Sequence, residues 1–208
     1  MIPLDTLATF FVAAVLLGLA PGPDNIFVLT QSALRGKAAG LLVTLGLCTG
    51  LVVHTTAVAF GVAVIFQASA VAFTALKLFG AGYLLYLAWQ AFRASAKRIA
   101  GGEPRGSSAF KLYRRGIIMN VTNPKVSIFF LAFLPQFADP GRGSLSIQML
   151  MLGGIFIIST IIVFGGIALL AGSIGQWLNR SPKTQVVMNR LAGMVFIGLA
   201  LKLATVEQ

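Results

Sequence analysis

The first apolar run of the chain is interrupted by Pro21-Gly22-Pro23-Asp24-Asn25, and the fourth is interrupted by Asn123-Pro124-Lys125. Each proline break is followed directly by an ionisable side chain, Asp24 or Lys125. A helix that is interrupted at membrane depth leaves backbone groups without partners, which is tolerated where the break is buried in protein or lines a cavity. The sequence therefore predicts a binding site where the two breaks meet.

Composition places the chain in a membrane, because 57% of its residues are hydrophobic and only 10% are charged. A membrane-spanning helix needs about 20 mostly apolar residues. Six segments reach that length, at residues 7–30, 38–66, 69–92, 116–137, 145–178 and 186–206. With 208 residues and no polar stretch longer than residues 93–115, the chain is expected to form one transmembrane domain over residues 1–208. The predicted fold is an all-α integral membrane protein.

The basic residues follow the predicted spans. A formal net charge of +11 would suggest a nucleic-acid partner in a soluble protein, but 12 of the 16 basic residues lie in or beside the odd-numbered loops: Arg35, Lys37, Arg93, Lys97, Arg98, Arg105, Lys111, Arg114, Arg115, Arg180, Lys183 and Arg190. Cytoplasmic loops of membrane proteins carry such an excess. We therefore expect a multi-pass protein of the cytoplasmic (inner) membrane with both termini outside. Nucleic acid, or an acidic partner bound at residues 93–115, is the less favoured reading.

The six predicted spans divide into two groups of three, and an odd number of spans in each half turns the second half upside down. Ile26-Phe27-Val28-Leu29 after the first break echoes Ile128-Phe129-Phe130-Leu131 after the second. Broken helices at corresponding positions of inverted repeats indicate the substrate site of a secondary transporter. The pattern predicts a 3+3 inverted repeat with broken first and fourth helices, repeat one at residues 1–105 and repeat two at residues 106–208.

Each break has residues that begin a new helix inside the membrane. Asn123 is a good helix cap, and Pro124 suits the first helical position, where no N–H is needed. Gly22 and Pro23 have the same roles in the first half. Such a helix start directs backbone N–H groups and a partial positive charge at the centre of the protein, where a carboxylate binds well. The predicted substrate-binding residues are Gly22, Pro23, Asp24, Asn25, Asn120, Asn123, Pro124 and Lys125.

Lys125 is unfavourably placed in the first turn of a helix, because its charge opposes the helix dipole. An ionised lysine near the middle of a membrane costs about 2.5 to 3.5 kcal/mol on insertion scales. Asp24, at the matching position of the other half, is the natural counter-charge, so we expect the two to form an ion pair or to share a site with the substrate. A capping role for Asp24, and extension of the Lys125 side chain towards the cytoplasmic face, are the structural alternatives.

His54 is the only histidine, and it lies on one helical face with Gly46 and Gly50 because spacings of four stack side chains. Glycines spaced in this way allow close contact between helices. His54 is therefore either a hydrogen-bonded packing residue or a proton relay. Asp24 and His54 are the two candidates for proton coupling.

Side chains at the two breaks suit a zwitterion. The carboxylate of the cargo would bind the helix N-termini with the help of Lys125, and its ammonium group would meet Asp24. Three aromatic residues that follow the breaks are expected to surround an apolar side chain: Phe27, Phe129 and Phe130. The expected cargo is a small neutral or apolar amino acid, or a derivative of one.

Four motifs in this order resemble the LysE/RhtB family of amino-acid exporters. They are Pro21-Gly22-Pro23, Gly50-Leu51-Val52-Val53-His54, Gly80-Ala81-Gly82-Tyr83-Leu84-Leu85-Tyr86-Leu87 and Asn123-Pro124-Lys125. The resemblance extends over essentially the whole chain. It implies a six-span inner-membrane exporter of amino acids or close derivatives that is driven by the proton gradient and needs no bound cofactor. Its expected partners are the amino-acid substrate, protons and membrane lipid, and a homo-oligomer is left open.

Other classes of function find less support in the sequence. A divalent metal-ion exporter on the same architecture would need a cluster of acidic, histidine or cysteine ligands, and the predicted spans hold Asp24, His54 and Cys48 in separate elements. Neither an enzyme nor a metal site is expected, because the chain has no G-x-S-x-G or H-E-x-x-H motif. A non-transporting membrane assembly protein is the remaining alternative.

Overall fold

The computed structural model describes residues 2–62, 70–95, 108–180 and 182–205, and this part of the chain is helical without a strand. Its α-helices are α1 (Leu4–Leu19), α2 (Pro23–Arg35), α3 (Lys37–Ala57), α4 (Ala70–Arg93), α5 (Ala109–Val121), α6 (Pro124–Ile128), α7 (Leu145–Arg180) and α8 (Pro182–Thr205). A π-helical turn, Val58–Val62, extends α3. After α6 the chain continues as a π-helical turn, Phe129–Phe133, and a 3-10 turn, Leu134–Phe137. A second 3-10 turn, Pro140–Arg142, precedes α7.

Three helices are long and apolar enough to cross a membrane, namely Lys37–Gly61, Leu145–Ala171 and Lys183–Thr205. Two more crossings result if each bent helix pair counts as one: α1 with α2 is bent by 63°, and α5 with Pro124–Phe137 is bent by 49°. The described residues thus supply up to five crossings. Both predicted breaks coincide with the bends of these two helix pairs, and the described residues are those of an all-helical membrane protein. The sixth crossing and the inverted repeat stay predictions.

Several helix ends differ from the predicted spans. α1 begins at Leu4 instead of residue 7, and α5 begins at Ala109 instead of residue 116. The early start of α5 follows from Ser108, whose hydroxyl oxygen accepts the backbone N–H of Lys111 at 3.3 Å and caps the helix. Lysine and arginine are good helix formers, so the helix extends beyond its apolar part. Residues 63–66, 69 and 206 of the predicted spans, and the basic Lys97, Arg98 and Arg105, lie outside the described residues.

The helices pack around two apolar clusters. α3 packs on α5 and α7, and α4 packs on α8. The larger cluster contains seven phenylalanines, and six of them have neighbouring ring centroids 4.7 to 6.5 Å apart: Phe10, Phe129, Phe130, Phe133, Phe137 and Phe156. The smaller cluster includes Val28, Val43, Leu47, Val163 and Phe164. Aromatic rings bury large areas in such arrangements, and these two clusters form the rigid surroundings of the breaks.

Glycines permit the close crossing of α3 and α5. A Cβ on Gly46 would collide with the carbonyl oxygen of Tyr113, and a Cβ on Gly116 would collide with the carbonyl oxygen of Val43. Helix backbones in membranes approach this closely where small residues leave room. Gly50 also faces α5, so the predicted close contact along this face of α3 is confirmed. Because α5 leads into the second break, this crossing positions that break against α3.

Candidate functional site

The first break separates α1 from α2 and leaves backbone donors available. Gly22 caps α2 in an extended conformation, and Pro23 occupies the first helical position, as predicted. Within the described part of the chain, no acceptor pairs with the backbone N–H of Asp24 or Asn25. The side chain of Asn25 ties the new helix to α1, because its Nδ2 atom donates to the carbonyl oxygen of Gly18 at 2.7 Å. The N-terminus of α2 therefore keeps free N–H groups inside the protein.

The second break separates α5 from α6 and has its backbone donors already paired. The side-chain oxygen of Asn123 accepts the backbone N–H of Lys125 at 3.0 Å, so the predicted capping role of Asn123 is confirmed. The carbonyl oxygen of Asn123 accepts the N–H groups of Val126 and Ser127, and Pro124 has none. The first turn of α6 thus has no N–H left for a ligand, which differs from the expectation of free N–H groups at both helix ends.

Asn123 also joins the two breaks. Its Nδ2 atom donates to Asp24 Oδ2 at 2.9 Å, while its Oδ1 atom caps α6. Both side chains are buried, with 3% of Asp24 and 4% of Asn123 exposed. An amide group has both a donor and an acceptor, and this one uses each towards a different helix. The N-termini of α2 and α6 are therefore held side by side.

Lys125 reaches from α6 to the end of α1. Its Nζ atom donates to the carbonyl oxygens of Leu17 at 3.2 Å and Ala20 at 3.1 Å. Carbonyl groups at a helix C-terminus lack helical partners, and the helix dipole favours a positive charge there. Lys125 and Asp24 form no direct ion pair, contrary to the first of the two expectations, because the end of α1 receives the ammonium group. Extension to the cytoplasmic face is not observed either, since the side chain is buried.

Three buried oxygen atoms beside the breaks have no hydrogen-bond partner: Asp24 Oδ1, Asn25 Oδ1 and Asn120 Oδ1. Most buried polar atoms in proteins are paired, so unpaired ones mark places where a ligand or water belongs. A Cβ on Gly22 would lie 3.2 Å from Lys125 Nζ and 3.7 Å from Asn25 Oδ1, so glycine leaves both groups room at the break. The three oxygens are acceptors of the kind that an ammonium group needs.

A small cavity of about 20 Å³ lies next to these groups. Its polar lining consists of Asp24, Asn120, Lys125 and Thr160, and its remaining lining of Leu17, Gly18, Leu47, Val126, Phe156 and Phe164. Some of these apolar residues belong to the larger cluster and others to the smaller, so the cavity lies between the two clusters. About one water molecule fits into such a volume. The cavity is therefore too small to hold an amino acid.

The structure brings the predicted site residues together. Asp24, Asn120 and Lys125 line the cavity, while Gly22, Pro23, Asn25, Asn123 and Pro124 form the helix starts beside it. The aromatic residues expected around the cargo do not line this cavity. Phe27 lies under the guanidinium group of Arg115 at 5.2 Å, and Phe129 and Phe130 belong to the larger cluster.

Seven of the ten lining residues were missed by sequence reasoning: Leu17, Gly18, Leu47, Val126, Phe156, Thr160 and Phe164. The two phenylalanines carry no signal of their own in a chain with 16 of them. Thr160 is different, because Ser159-Thr160 is a polar pair inside a long apolar run. Polar residues within membrane spans usually face the interior of the bundle, and this pair could have been identified on that basis.

His54 lies beside the cavity without lining it. Its Nε2 atom is 3.2 Å from the carbonyl oxygen of Asn120, and its ring centroid is 5.6 Å from that of Phe130. Gly50 gives room for this contact, since a Cβ there would lie 2.6 Å from Asn120 Oδ1. His54 thus has the hydrogen bond of a packing residue, and the backbone of Asn120 is its connection to the site.

Comparison with known proteins shows the family of the chain. The family described as LysE type translocator matches residues 15–207. The chain belongs to the LysE translocator family. The resemblance inferred from four motifs is confirmed, and this LysE-family protein is a membrane transporter of a small molecule.

Relatives of the LysE-family chain align over nearly its whole length. An uncharacterized membrane protein of Vibrio cholerae is 34% identical over 95% of this chain and 96% of its own. The homoserine/homoserine lactone efflux protein of Salmonella typhimurium is 34% identical over 94% of each chain. An uncharacterized membrane protein of Pseudomonas aeruginosa is 31% identical over 95% of this chain and 94% of its own. No solved structure matches the chain.

Proposed function

We propose that this protein exports small neutral amino acids, or close derivatives of them, from the cytoplasm in exchange for protons. The observation that carries the proposal is the small cavity at the two breaks, where unpaired acceptor oxygens, free backbone N–H groups and a buried ammonium group lie together. A zwitterion carries one ammonium group and one carboxylate, so it needs both kinds of partner. The name of the Salmonella relative, a homoserine/homoserine lactone efflux protein, supports a cargo of this size and polarity.

Each end of the zwitterion has its own set of partners in this proposal. The ammonium group of the cargo takes up the unpaired oxygens, with the charged Asp24 as its main partner and Asn25 and Asn120 beside it. The carboxylate faces the free backbone N–H groups of Asp24 and Asn25 and the remaining N–H of Lys125, which uses two of its three donors on α1. The apolar part of the cavity lining favours an uncharged side chain.

Binding of such a cargo requires the site to widen, because the cavity holds about one water molecule. Two links must separate while the cargo enters, the hydrogen bond from Asn123 to Asp24 and those from Lys125 to the end of α1. We assign the opening to rocking of repeat one, residues 1–105, against repeat two, residues 106–208, as in a 3+3 transporter. α4 would be the sixth crossing, since its 24 residues extend over roughly 36 Å at the helical rise.

Asp24 is the proposed carrier of the coupled proton. When the cargo leaves towards the outside, Asp24 Oδ1 loses its cationic partner inside a water-poor site. A proton taken up there replaces the lost positive charge and allows the empty transporter to close again, because an uncompensated buried carboxylate is unfavourable. His54, which contacts the backbone of Asn120, is the second candidate and would act as a relay.

The proposed location is the inner membrane, with both termini outside. The excess of lysine and arginine in the odd-numbered loops supports this orientation, since such loops face the cytoplasm. In this orientation α2 ends at the cytoplasmic side with Arg35, and the turn Pro140–Arg142 lies outside.

Transport by the purified protein in lipid vesicles tests the proposal. An imposed proton gradient should drive labelled homoserine, and other small neutral amino acids, against their concentration. Collapse of the gradient should leave exchange and abolish accumulation. Amino-acid amides should compete poorly, since they leave the N–H donors of the site without an anionic partner. If amides compete as well as acids, the carboxylate site is wrong although export stands.

The alternative functions give different results in the same vesicles. A divalent metal-ion exporter would carry Cd²⁺ and no amino acid. Among the described residues, no group of three or more His, Cys, Asp or Glu side chains could hold a metal ion, so nothing there favours this outcome. A membrane assembly protein would move neither kind of cargo.

A further inference from the structure

Gln31 is a buried amide that the proposed site does not use. Its side chain is 0% exposed, and neither Nε2 nor Oε1 has a hydrogen-bond partner. A glutamine amide has two donors and two acceptor positions, and all of them are empty here. Buried polar groups in proteins are normally paired, so this one calls for a ligand or a functional reason.

Local chemistry of α2 does not explain the unpaired amide. Ser32, the next residue, is buried as well, but its hydroxyl group donates to the carbonyl oxygen of Val28 at 2.7 Å. Polar side chains on this helix can therefore be satisfied within the helix. In Gln31, by contrast, neither the donor Nε2 nor the acceptor Oε1 forms a hydrogen bond.

Gln31 lies on the face of α2 that carries Asp24. A separation of seven residues is nearly two helical turns, or roughly 10.5 Å along the helix. Val28 lies between them on this face and is 0% exposed. It belongs to the same apolar cluster as Leu47 and Phe164, which line the cavity. An apolar layer therefore separates the cavity from Gln31.

We infer that Gln31 is a second binding station for the zwitterion, between the cavity and the cytoplasmic end of α2. This inference rests on the proposed function and orientation. One neutral amide can serve both ends of a zwitterion, because Oε1 accepts from an ammonium group and Nε2 donates to a carboxylate. A small amino acid is shorter than the separation of roughly 10.5 Å, so it contacts Gln31 and Asp24 in succession. The layer of Val28, Leu47 and Phe164 is what must part between the two stations.

The substitution Gln31→Met separates a station from a packing residue. Methionine has nearly the same shape and removes the unpaired amide, so the thermal midpoint of the purified protein should rise. Transport of labelled homoserine in vesicles should nevertheless fall about tenfold, the size of one lost hydrogen bond to a charged group. Ser32→Ala is the matched control, since its hydroxyl is already paired within α2, and it should transport within about twofold of the unchanged protein.

Each outcome decides the inference. If Gln31→Met is more stable and transports like the unchanged protein, the amide is a packing defect and the station is wrong. Gln31→Leu gives the same reading should the methionine variant not fold, and Gln31→Asn should keep part of the transport. If the unchanged protein moves no amino acid, the proposed function fails and the station fails with it. If the unchanged protein and the Gln31 variants transport equally well, the proposed function stands and the second station is wrong.

Discussion

The two helix breaks look alike in sequence but differ in how their polar atoms are used. At the first break, Gly22 offers no side chain, and no acceptor among the described residues pairs with the N–H groups of Asp24 and Asn25. At the second break, the side chain and carbonyl group of Asn123 pair with every N–H of the first turn of α6. One helix start is open to a ligand, whereas the other is internally satisfied.

The charges of the two breaks differ in the same way. Asp24 keeps one carboxylate oxygen unpaired next to the cavity, while Lys125 is bonded to two carbonyl oxygens at the end of α1. Buried polar atoms that are already hydrogen-bonded stabilise the structure without a ligand. Buried polar atoms that are unpaired favour ligand binding, because the ligand supplies the missing hydrogen bonds. Related breaks in two half-chains therefore need not be equivalent sites. In the site proposed above, the first break receives the cargo, and the second break, with Lys125 bonded to α1, is the clamp.

Removal of the clamp should have the largest effect. Lys125→Met leaves the carbonyl oxygens of Leu17 and Ala20 buried without a donor, at a cost of about 1 to 3 kcal/mol for each. We expect transport to fall by roughly 100-fold or more and the thermal midpoint to drop. Lys202→Met is the control, because the Lys202 ammonium lies 4.3 Å over the ring of Phe137 and does not line the cavity. An equal loss of transport in Lys125→Met and Lys202→Met would contradict the role of Lys125 as a clamp.

The link between the breaks should appear as non-additivity. Asp24→Asn and Asn123→Ala each disturb the hydrogen bond at 2.9 Å, and the second also removes a helix cap of about 1 kcal/mol. Combined, they should lose less than the sum, with a coupling of about 0.5 to 3 kcal/mol in transport or stability. The same cycle between Asp24 and Lys125 should give a smaller coupling, because those two residues form no direct ion pair. A larger coupling between Asp24 and Lys125 than between Asp24 and Asn123 would support the direct ion pair that the sequence predicted.

A smaller effect on transport is expected when a substitution at the first break adds a methyl group and removes no hydrogen bond. Gly22→Ala would place a Cβ 3.2 Å from Lys125 Nζ, which is tight but lies against the end of a flexible side chain. The extended conformation of Gly22 suits any residue, so we expect about a threefold to tenfold loss of transport with little loss of stability. Gly82→Ala is the control, since nothing lies within 4 Å of its Cβ position. Full transport by Gly22→Ala would show that the approach of Lys125 to the first break is not functional.

The smallest effect is expected for labels at the two ends of the second broken helix. In a Cys48→Ala background, Ala109→Cys lies at the start of α5 and Ser144→Cys follows the turn Pro140–Arg142, and both positions are exposed. Transport should be unchanged. A membrane-impermeant thiol reagent should react with the second variant in intact cells and with the first only after the cells are opened. Reaction of Ala109→Cys in intact cells would overturn the orientation and with it the cytoplasmic position of Gln31.

Features that depend on a few neighbouring residues followed from the sequence alone. Apolar length indicated the membrane class, and proline with its preceding residue located both helix starts, at Gly22 and Asn123. Capping needs only a side-chain oxygen two or three positions from its donor, so its signal is local. Family membership followed from four short motifs for the same reason, since each is a continuous stretch.

The use of the polar atoms was decided by the tertiary structure. Lys125 bonds to residues 105 and 108 positions away, and Asn123 bonds to Asp24 at a separation of 99. No local pattern encodes which of several buried acceptors an ammonium group reaches, because that choice depends on how α1, α2 and α6 pack. The phenylalanines that line the cavity were likewise selected by the packing of α7 and not by their neighbours in sequence. The sequence alone therefore determined where the helices break. The packing of the helices determined which break keeps unpaired polar atoms and which has its polar atoms paired.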